Sequence, residues 1–169
     1  MLILSLTAVA RAPVRLQGQI PVDDSLWTEA GIVLKEPFEF DLEARTVGEG
    51  ILVRGEIRAE LEAGCRRCLV PVAVRIGDRI DLLFEPLTEE EEADLSGEVY
   101  PLPSRGDALD LAPAIREQFV LRIPDYVLCS ETCRGLCPRC GAELNRIECG
   151  CVVEEYGSPW DVLKDIEFD

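Results

Sequence analysis

Histidine is absent from this 169-residue chain. That removes the side chain most used for proton transfer near neutral pH and the commonest nitrogen ligand for a metal. Basic residues are scarce as well: 17 Lys and Arg against 33 Asp and Glu leave a formal charge of -16. A surface of that sign repels bulk nucleic acid and membrane phosphates and suits a basic protein partner better. Aromatic residues make up only 6% of the chain, so the core is expected to be mostly aliphatic. No stretch reaches the length of an apolar membrane-spanning helix. Residues 1–10 are apolar but lack the positively charged start of a secretory signal. They read as a buried β-strand, and the chain reads as cytoplasmic with no membrane partner. Neither Gly48-Glu49-Gly50 nor Gly135-Leu136 forms a phosphate-cradling loop. With no histidine, and no carboxylates that the sequence can pair, no catalytic constellation emerges. The expectation is a protein that is not an enzyme.

What is present is a core and a set of thiols. The hydrophobic fraction of 47% is ordinary for a globular protein, and the length fits one domain or one domain with a small appendage. Residues 38–45 alternate, with Phe38, Phe40 and Leu42 on one face and Glu39, Asp41 and Glu43 on the other. Residues 51–63 alternate likewise, and residues 70–83 resume the pattern. Gly48-Glu49-Gly50 marks the turn between the first two runs. A short helix is expected over residues 23–30, capped by Asp24 or Ser25. A second is expected over 110–120, with Asp110 as cap, Pro113 in the first turn, and Leu111, Ile115 and Phe119 on one face. Pro124 ends regular structure there. Residues 85–98 carry a run of acidic side chains that reads as a solvated loop, or as a docking arm for a basic partner. Ser158-Pro159-Trp160-Asp161 begins a terminal helix that would dock Trp160, Leu163 and Ile166. The fold class is α+β: a mainly antiparallel β-sheet body with a few short helices and a cysteine-rich C-terminal segment. The division falls into residues 1–124 and 125–169, packed as one compact unit.

Eight cysteines carry the chemistry. Cys65 and Cys68 sit in the connection between two strands, while Cys129, Cys133, Cys137, Cys140, Cys149 and Cys151 lie far downstream. Eight in 169 residues is below the ~8–10% typical of small disulfide scaffolds, and a reduced compartment favours metal-bound thiols. Short-spaced pairs are how a chain delivers soft ligands to a tetrahedral ion. Grouping by proximity gives Cys137, Cys140, Cys149 and Cys151 as a compact local site. Cys129 and Cys133 then return to Cys65 and Cys68. Cys133 in place of Cys129 or Cys151 is an alternative partition that leaves odd thiols. All-cysteine ligation fills a zinc ion's four positions, so two zinc ions per chain, both structural, are expected. The Cys-x-x-Cys spacing also occurs in redox motifs, but those need a βαβ setting that is missing here. Arg66, Arg67, Arg134, Arg139 and Arg146 gather beside the cysteines. They either balance thiolate charge or form a small positive face that could touch RNA phosphate weakly.

Cys65-Arg66-Arg67-Cys68-Leu69, the run over residues 111–124 and Cys133-Arg134-Gly135-Leu136-Cys137-Pro138-Arg139-Cys140-Gly141-Ala142-Glu143-Leu144-Asn145 together resemble the YceD family, a bacterial and plastid family of large ribosomal RNA subunit accumulation proteins. The resemblance implies a non-enzymatic role in accumulation of large-subunit ribosomal RNA or in large-subunit assembly. The partner would be a ribosomal protein or a large-subunit precursor. The competing reading is a zinc-handling or thiol-redox-responsive protein.

Overall fold

The computed structural model describes residues 2–86, 99–103 and 105–151. The acidic run expected as a loop and the expected terminal helix with Trp160, Leu163 and Ile166 lie outside the described residues, apart from the first positions of the former.

The fold is α+β, built on a five-stranded sheet in the order β2-β3-β4-β5-β6. Its strands are β2 (Val14–Ile20), β3 (Phe38–Val47), β4 (Gly50–Gly64), β5 (Pro71–Glu85) and β6 (Val99–Pro101). All neighbours pair antiparallel except β5 with β6, which run parallel. A separate two-stranded ribbon pairs β1 (Ile3–Ser5) with β7 (Ala108–Asp110). Three short helices complete the described chain: α1 (Leu6–Val9), α2 (Ser25–Thr28) and α3 (Ala112–Val120).

Alternation builds the sheet. Phe38, Phe40, Leu42 and Ala44 of β3 are buried, as are Val53, Ile57, Ala59 and Leu61 of β4 and Ile76, Ile80, Leu82 and Phe84 of β5. The side chains between them form a solvated outer face laced with ion pairs, including Arg15–Asp41, Arg54–Asp81 and Arg75–Glu60. The β3–β4 hairpin closes on Gly48, whose φ of +60° supplies the conformation that a two-residue turn demands. The inner face packs on α2, α3 and the ribbon. Trp27, Phe38 and Phe119 meet at its centre with ring centroids 4.8 to 5.4 Å apart. Few aromatics are needed because these three are placed together and surrounded by aliphatic side chains.

Two expectations need correction. The apolar start is not one strand: pairing stops at Ser5, whose hydroxyl caps α1. The cause is Asp107, whose carboxylate accepts from Thr7 N (2.6 Å) and Ser5 Oγ (2.7 Å) and so holds the turn closed. At the other helix, Leu111 rather than Asp110 holds the cap position, and it makes no side-chain cap bond. Asp110 acts one residue further out, accepting from Ala112 N at 2.9 Å. The Asp24 cap of α2 is as expected, with Oδ1 accepting from Leu26 N.

The β4–β5 connection positions the chemistry. These two strands form the longest pairing of the sheet, from Ile51↔Phe84 to Gly64↔Pro71, so the loop between them projects from a two-stranded arm. Among the described residues no helix is long and apolar enough to cross a membrane.

Candidate metal centres

Cys65-Arg66-Arg67-Cys68 occupies the tip of that arm. Cys65 N donates to Val70 O at 2.9 Å, and Leu69 N donates to Cys65 O at 2.9 Å. The same ladder recurs at Cys137-Pro138-Arg139-Cys140: Cys137 N donates to Ala142 O (2.8 Å) and Gly141 N to Cys137 O (2.9 Å). The chain therefore builds one knuckle twice. In each, the tight turn aims backbone N–H groups at the first sulfur.

The structure brings all eight cysteines into two groups of four. Cys65, Cys68, Cys129 and Cys133 form the first quartet, and Cys137, Cys140, Cys149 and Cys151 the second, with the sulfurs of each lying within 4.8 Å of one another. In the first, Cys65 and Cys133 sulfurs are 3.8 Å apart and Cys68 and Cys129 sulfurs 3.6 Å apart. A tetrahedron with metal–sulfur bonds of about 2.3 Å has edges of about 3.8 Å. The thiols are thus spaced for a single tetrahedral ion with soft, all-sulfur ligation, the donor set that suits zinc or iron. Four protein sulfurs leave no open position for a water.

Electrostatics point the same way. Burial by itself raises the Cys65 thiol pKa, yet backbone N–H groups of Cys68, Arg67 and Cys129 outweigh it and bring the thiol down to about 6. Backbone N–H groups of Cys140 and Arg139 bring Cys137 to about 6. The Asn145 amide, ahead of other contributions, lowers Cys133. Hydrogen bonding with Cys140 and then Cys149 pushes Cys151 up to about 12. Crowded thiols cannot all ionise by themselves, whereas a divalent cation among them removes that conflict.

The quartets differ in setting. In the first, Cys65, Cys68 and Cys133 are buried and Val70, Val72, Leu128 and Leu136 pack around them. In the second only Cys137 is buried, while Cys140 and Cys151 are exposed. The first is a piece of core; the second is a surface knuckle.

The arginines divide. Arg66 Nε donates to Asp125 O at 2.8 Å, and Arg66 N donates to Val127 O at 2.8 Å. Arg67 Nη1 donates to Cys133 O at 2.9 Å and Glu131 O at 3.3 Å. These two guanidinium groups clamp the segment that carries Cys129 and Cys133 onto the arm. Arg146 pairs with Glu143 at 3.4 Å. Arg134 lines the hollow beside Cys137, Cys149 and Cys151.

Asn145 is the site residue that spacing arguments miss. Its Nδ2 donates to Cys133 Sγ at 3.3 Å, although it lies between two cysteines of the other quartet. The available signal was an amide side chain, able to donate to sulfur, inside a cysteine-rich loop.

The family pattern described as "Large ribosomal RNA subunit accumulation protein YceD" matches residues 53–167, a span that contains all eight cysteines. An uncharacterized protein of Mycobacterium bovis is 34% identical over 113 residues, covering 63% of this chain and 51% of that protein. One from Mycobacterium leprae is 27% identical over 169 residues, covering 94% of this chain and 71% of the relative. A third, from Arabidopsis thaliana, is named "Large ribosomal RNA subunit accumulation protein YCED homolog 1, chloroplastic". It is 28% identical over 137 residues, covering 66% of this chain and 43% of the relative. The chain spans about half the length of the first of these relatives. No solved structure matches.

Proposed function

Because the chain belongs to the YceD family of large ribosomal RNA subunit accumulation proteins, we propose that it is a non-enzymatic factor supporting large-subunit ribosomal RNA accumulation, with both cysteine quartets holding structural zinc. The observation that carries the zinc reading is the closed sulfur geometry. Each quartet gathers four thiols within 4.8 Å of one another, and the first has sulfur pairs at 3.6 and 3.8 Å; four sulfurs on one zinc leave no site for substrate or water. The name of the Arabidopsis relative supports the large-subunit role.

In this reading the protein works in the cytoplasm and meets a ribosomal protein or a large-subunit precursor. The charge of -16 favours a basic protein surface over naked RNA. Arg66 and Arg67 are committed to backbone carbonyls of the chain itself. Any contact of the knuckle arginines with phosphate is therefore secondary to the protein surface.

The test is co-sedimentation with large-subunit precursors at low and high salt, using protein whose zinc content has been counted by native mass spectrometry. Two zinc ions per chain and association with precursor particles are expected. Two zinc ions without association at any salt would sink the ribosomal role and leave the metal reading standing.

Exposure of Cys129, Cys140 and Cys151 favours one competing reading, a thiol-responsive protein that releases metal on oxidation. Peroxide separates the two: structural zinc is retained at peroxide concentrations that empty a sensor.

A further inference from the structure

We propose that Asn145 couples the two metal centres, so that an ion in the second quartet tightens the first quartet's hold on its own. The inference rests on the reading that both quartets bind metal. Asn145 lies between Cys140 and Cys149, both of the second quartet. Its side chain nevertheless reaches the first, with Nδ2 donating to Cys133 Sγ at 3.3 Å and Oδ1 accepting from Arg134 N at 2.8 Å. Chemistry fixes this orientation of the amide. A backbone N–H can only donate, so it must face the oxygen, and the NH₂ group is left for the sulfur.

A donor on a ligating sulfur stabilises the thiolate charge and fixes the direction of its lone pairs. The turn that presents Asn145 is a short one. Leu144 N donates to Gly135 O at 2.9 Å, and Arg146 N and Ile147 N donate to Glu143 O at 3.0 Å. Its two ends are Cys140 and Cys149. An ion shared by those cysteines pins both ends and holds the amide on Cys133. Without that ion the turn is held only by its bonds to Gly135 O and Arg134 N, and the amide sits less firmly on Cys133. Linkage makes the effect reciprocal: an ion in the first quartet fixes Cys133 and favours the turn that closes the second.

The experiment is chelator competition on the zinc-loaded full chain, with alkylation of each cysteine read by mass spectrometry so that the quartets are scored separately. Asn145→Ala should weaken the first quartet's zinc affinity by ~10–100-fold while both quartets still load. Asn145→Asp keeps an oxygen for Arg134 N but removes the sulfur's donor. It should weaken the first quartet at least as much, whereas a role confined to shaping the turn would leave it like the wild type. Cys149→Ser, which opens the second quartet, should weaken the first quartet in the wild-type background and do so less once Asn145→Ala is present.

Equal first-quartet release from wild type and Asn145→Ala would overturn the proposal. So would an undiminished effect of Cys149→Ser in the Asn145→Ala background. Two zinc ions per chain with an inert Asn145→Ala sinks the coupling alone. A wild-type protein that holds no metal sinks the metal reading and the coupling with it.

Discussion

Leu69 holds in the first knuckle the left-handed backbone conformation that Gly141 holds in the second, with φ values of 62° and 72°. Each follows the second cysteine of its pair, and each donates its N–H back to the carbonyl of the first. Glycine takes this conformation without strain, while an L-residue with a Cβ is disfavoured there by ~1–2 kcal/mol. Leu69 is 69% exposed, so little packing offsets that cost.

Leu69→Gly should therefore leave stability unchanged or raise it by no more than ~1 kcal/mol, because relief of strain is partly cancelled by the greater freedom of glycine in the unfolded chain. Gly141→Leu should destabilise the second knuckle by ~1–2 kcal/mol. Urea midpoints for the zinc-loaded proteins decide both. A clear loss of stability in Leu69→Gly would show that the leucine side chain contributes packing that its exposure does not suggest.

Gly55 carries a different constraint. It pairs with Leu42 on one side and Ile80 on the other, and a Cβ built there lies 2.0 Å from Asp41 O and 2.8 Å from Leu42 Cα. Both obstacles are backbone, so β3 itself must move. Gly55→Ala should cost about 1–3 kcal/mol, the range for overpacking a well-filled interior. Gly77 sits on the neighbouring strand with only the Arg58 side chain near its Cβ position, at 3.9 Å, so Gly77→Ala should be nearly neutral. Thermal melts of the two variants side by side test the contrast.

These cases mark how far the sequence is legible. The alternation of β3 and β4 is local and can be read directly, as can the Asp24 cap and the grouping of thiols by short spacing. The turn at residues 6–9 cannot, because Asp107, which closes it, lies about a hundred positions away. Nor does β2 announce itself. Its alternation is interrupted by Gly18, which is there to admit the Phe40 ring: a Cβ would stand 3.1 Å from it. Arg66 and Arg67 look like a positive face in the sequence, yet their partners are main-chain carbonyls, which no side-chain pattern reveals. Local periodicity is written in a segment, while long-range hydrogen bonding is written in two segments at once.

Acid should loosen the body through three aspartates. Hydrogen bonding from Arg15 holds Asp41 below the usual carboxylate range. The Arg79 N–H, then Arg122, does so for Asp78. The Ser5 hydroxyl, then the Thr7 N–H, does so for Asp107. A depressed folded-state pKa means that folding favours the ionised form. The contribution is present above the unfolded aspartate value of ~3.9 and is lost as pH falls through the lower folded values. Stability from these groups should hold down to about pH 4 and decline below it. Asp107→Asn should lower stability at neutral pH and flatten the acid decline, as read from urea midpoints against pH.

The two quartets should fail in different ways. Cys65 is fully buried, and its quartet joins the β4–β5 arm to a segment 61 residues further on, measured from Cys68 to Cys129. An ion there closes a long loop and removes much of the unfolded chain's freedom, and it fills a site lined by Val70, Val72, Leu128 and Leu136. The second quartet closes only the stretch from Cys137 to Cys151, with three of its four cysteines partly or fully exposed. Cys65→Ser should lower the global unfolding midpoint and speed amide exchange in β4 and β5. Cys149→Ser should leave exchange in those strands close to wild type and accelerate it chiefly after about Gly135, because the first quartet, though weakened, stays loaded while the local closure is lost. Hydrogen exchange followed by mass spectrometry resolves the two patterns. Equal global loosening in both variants would mean that the second quartet also supports the sheet, by a route longer than its own loop.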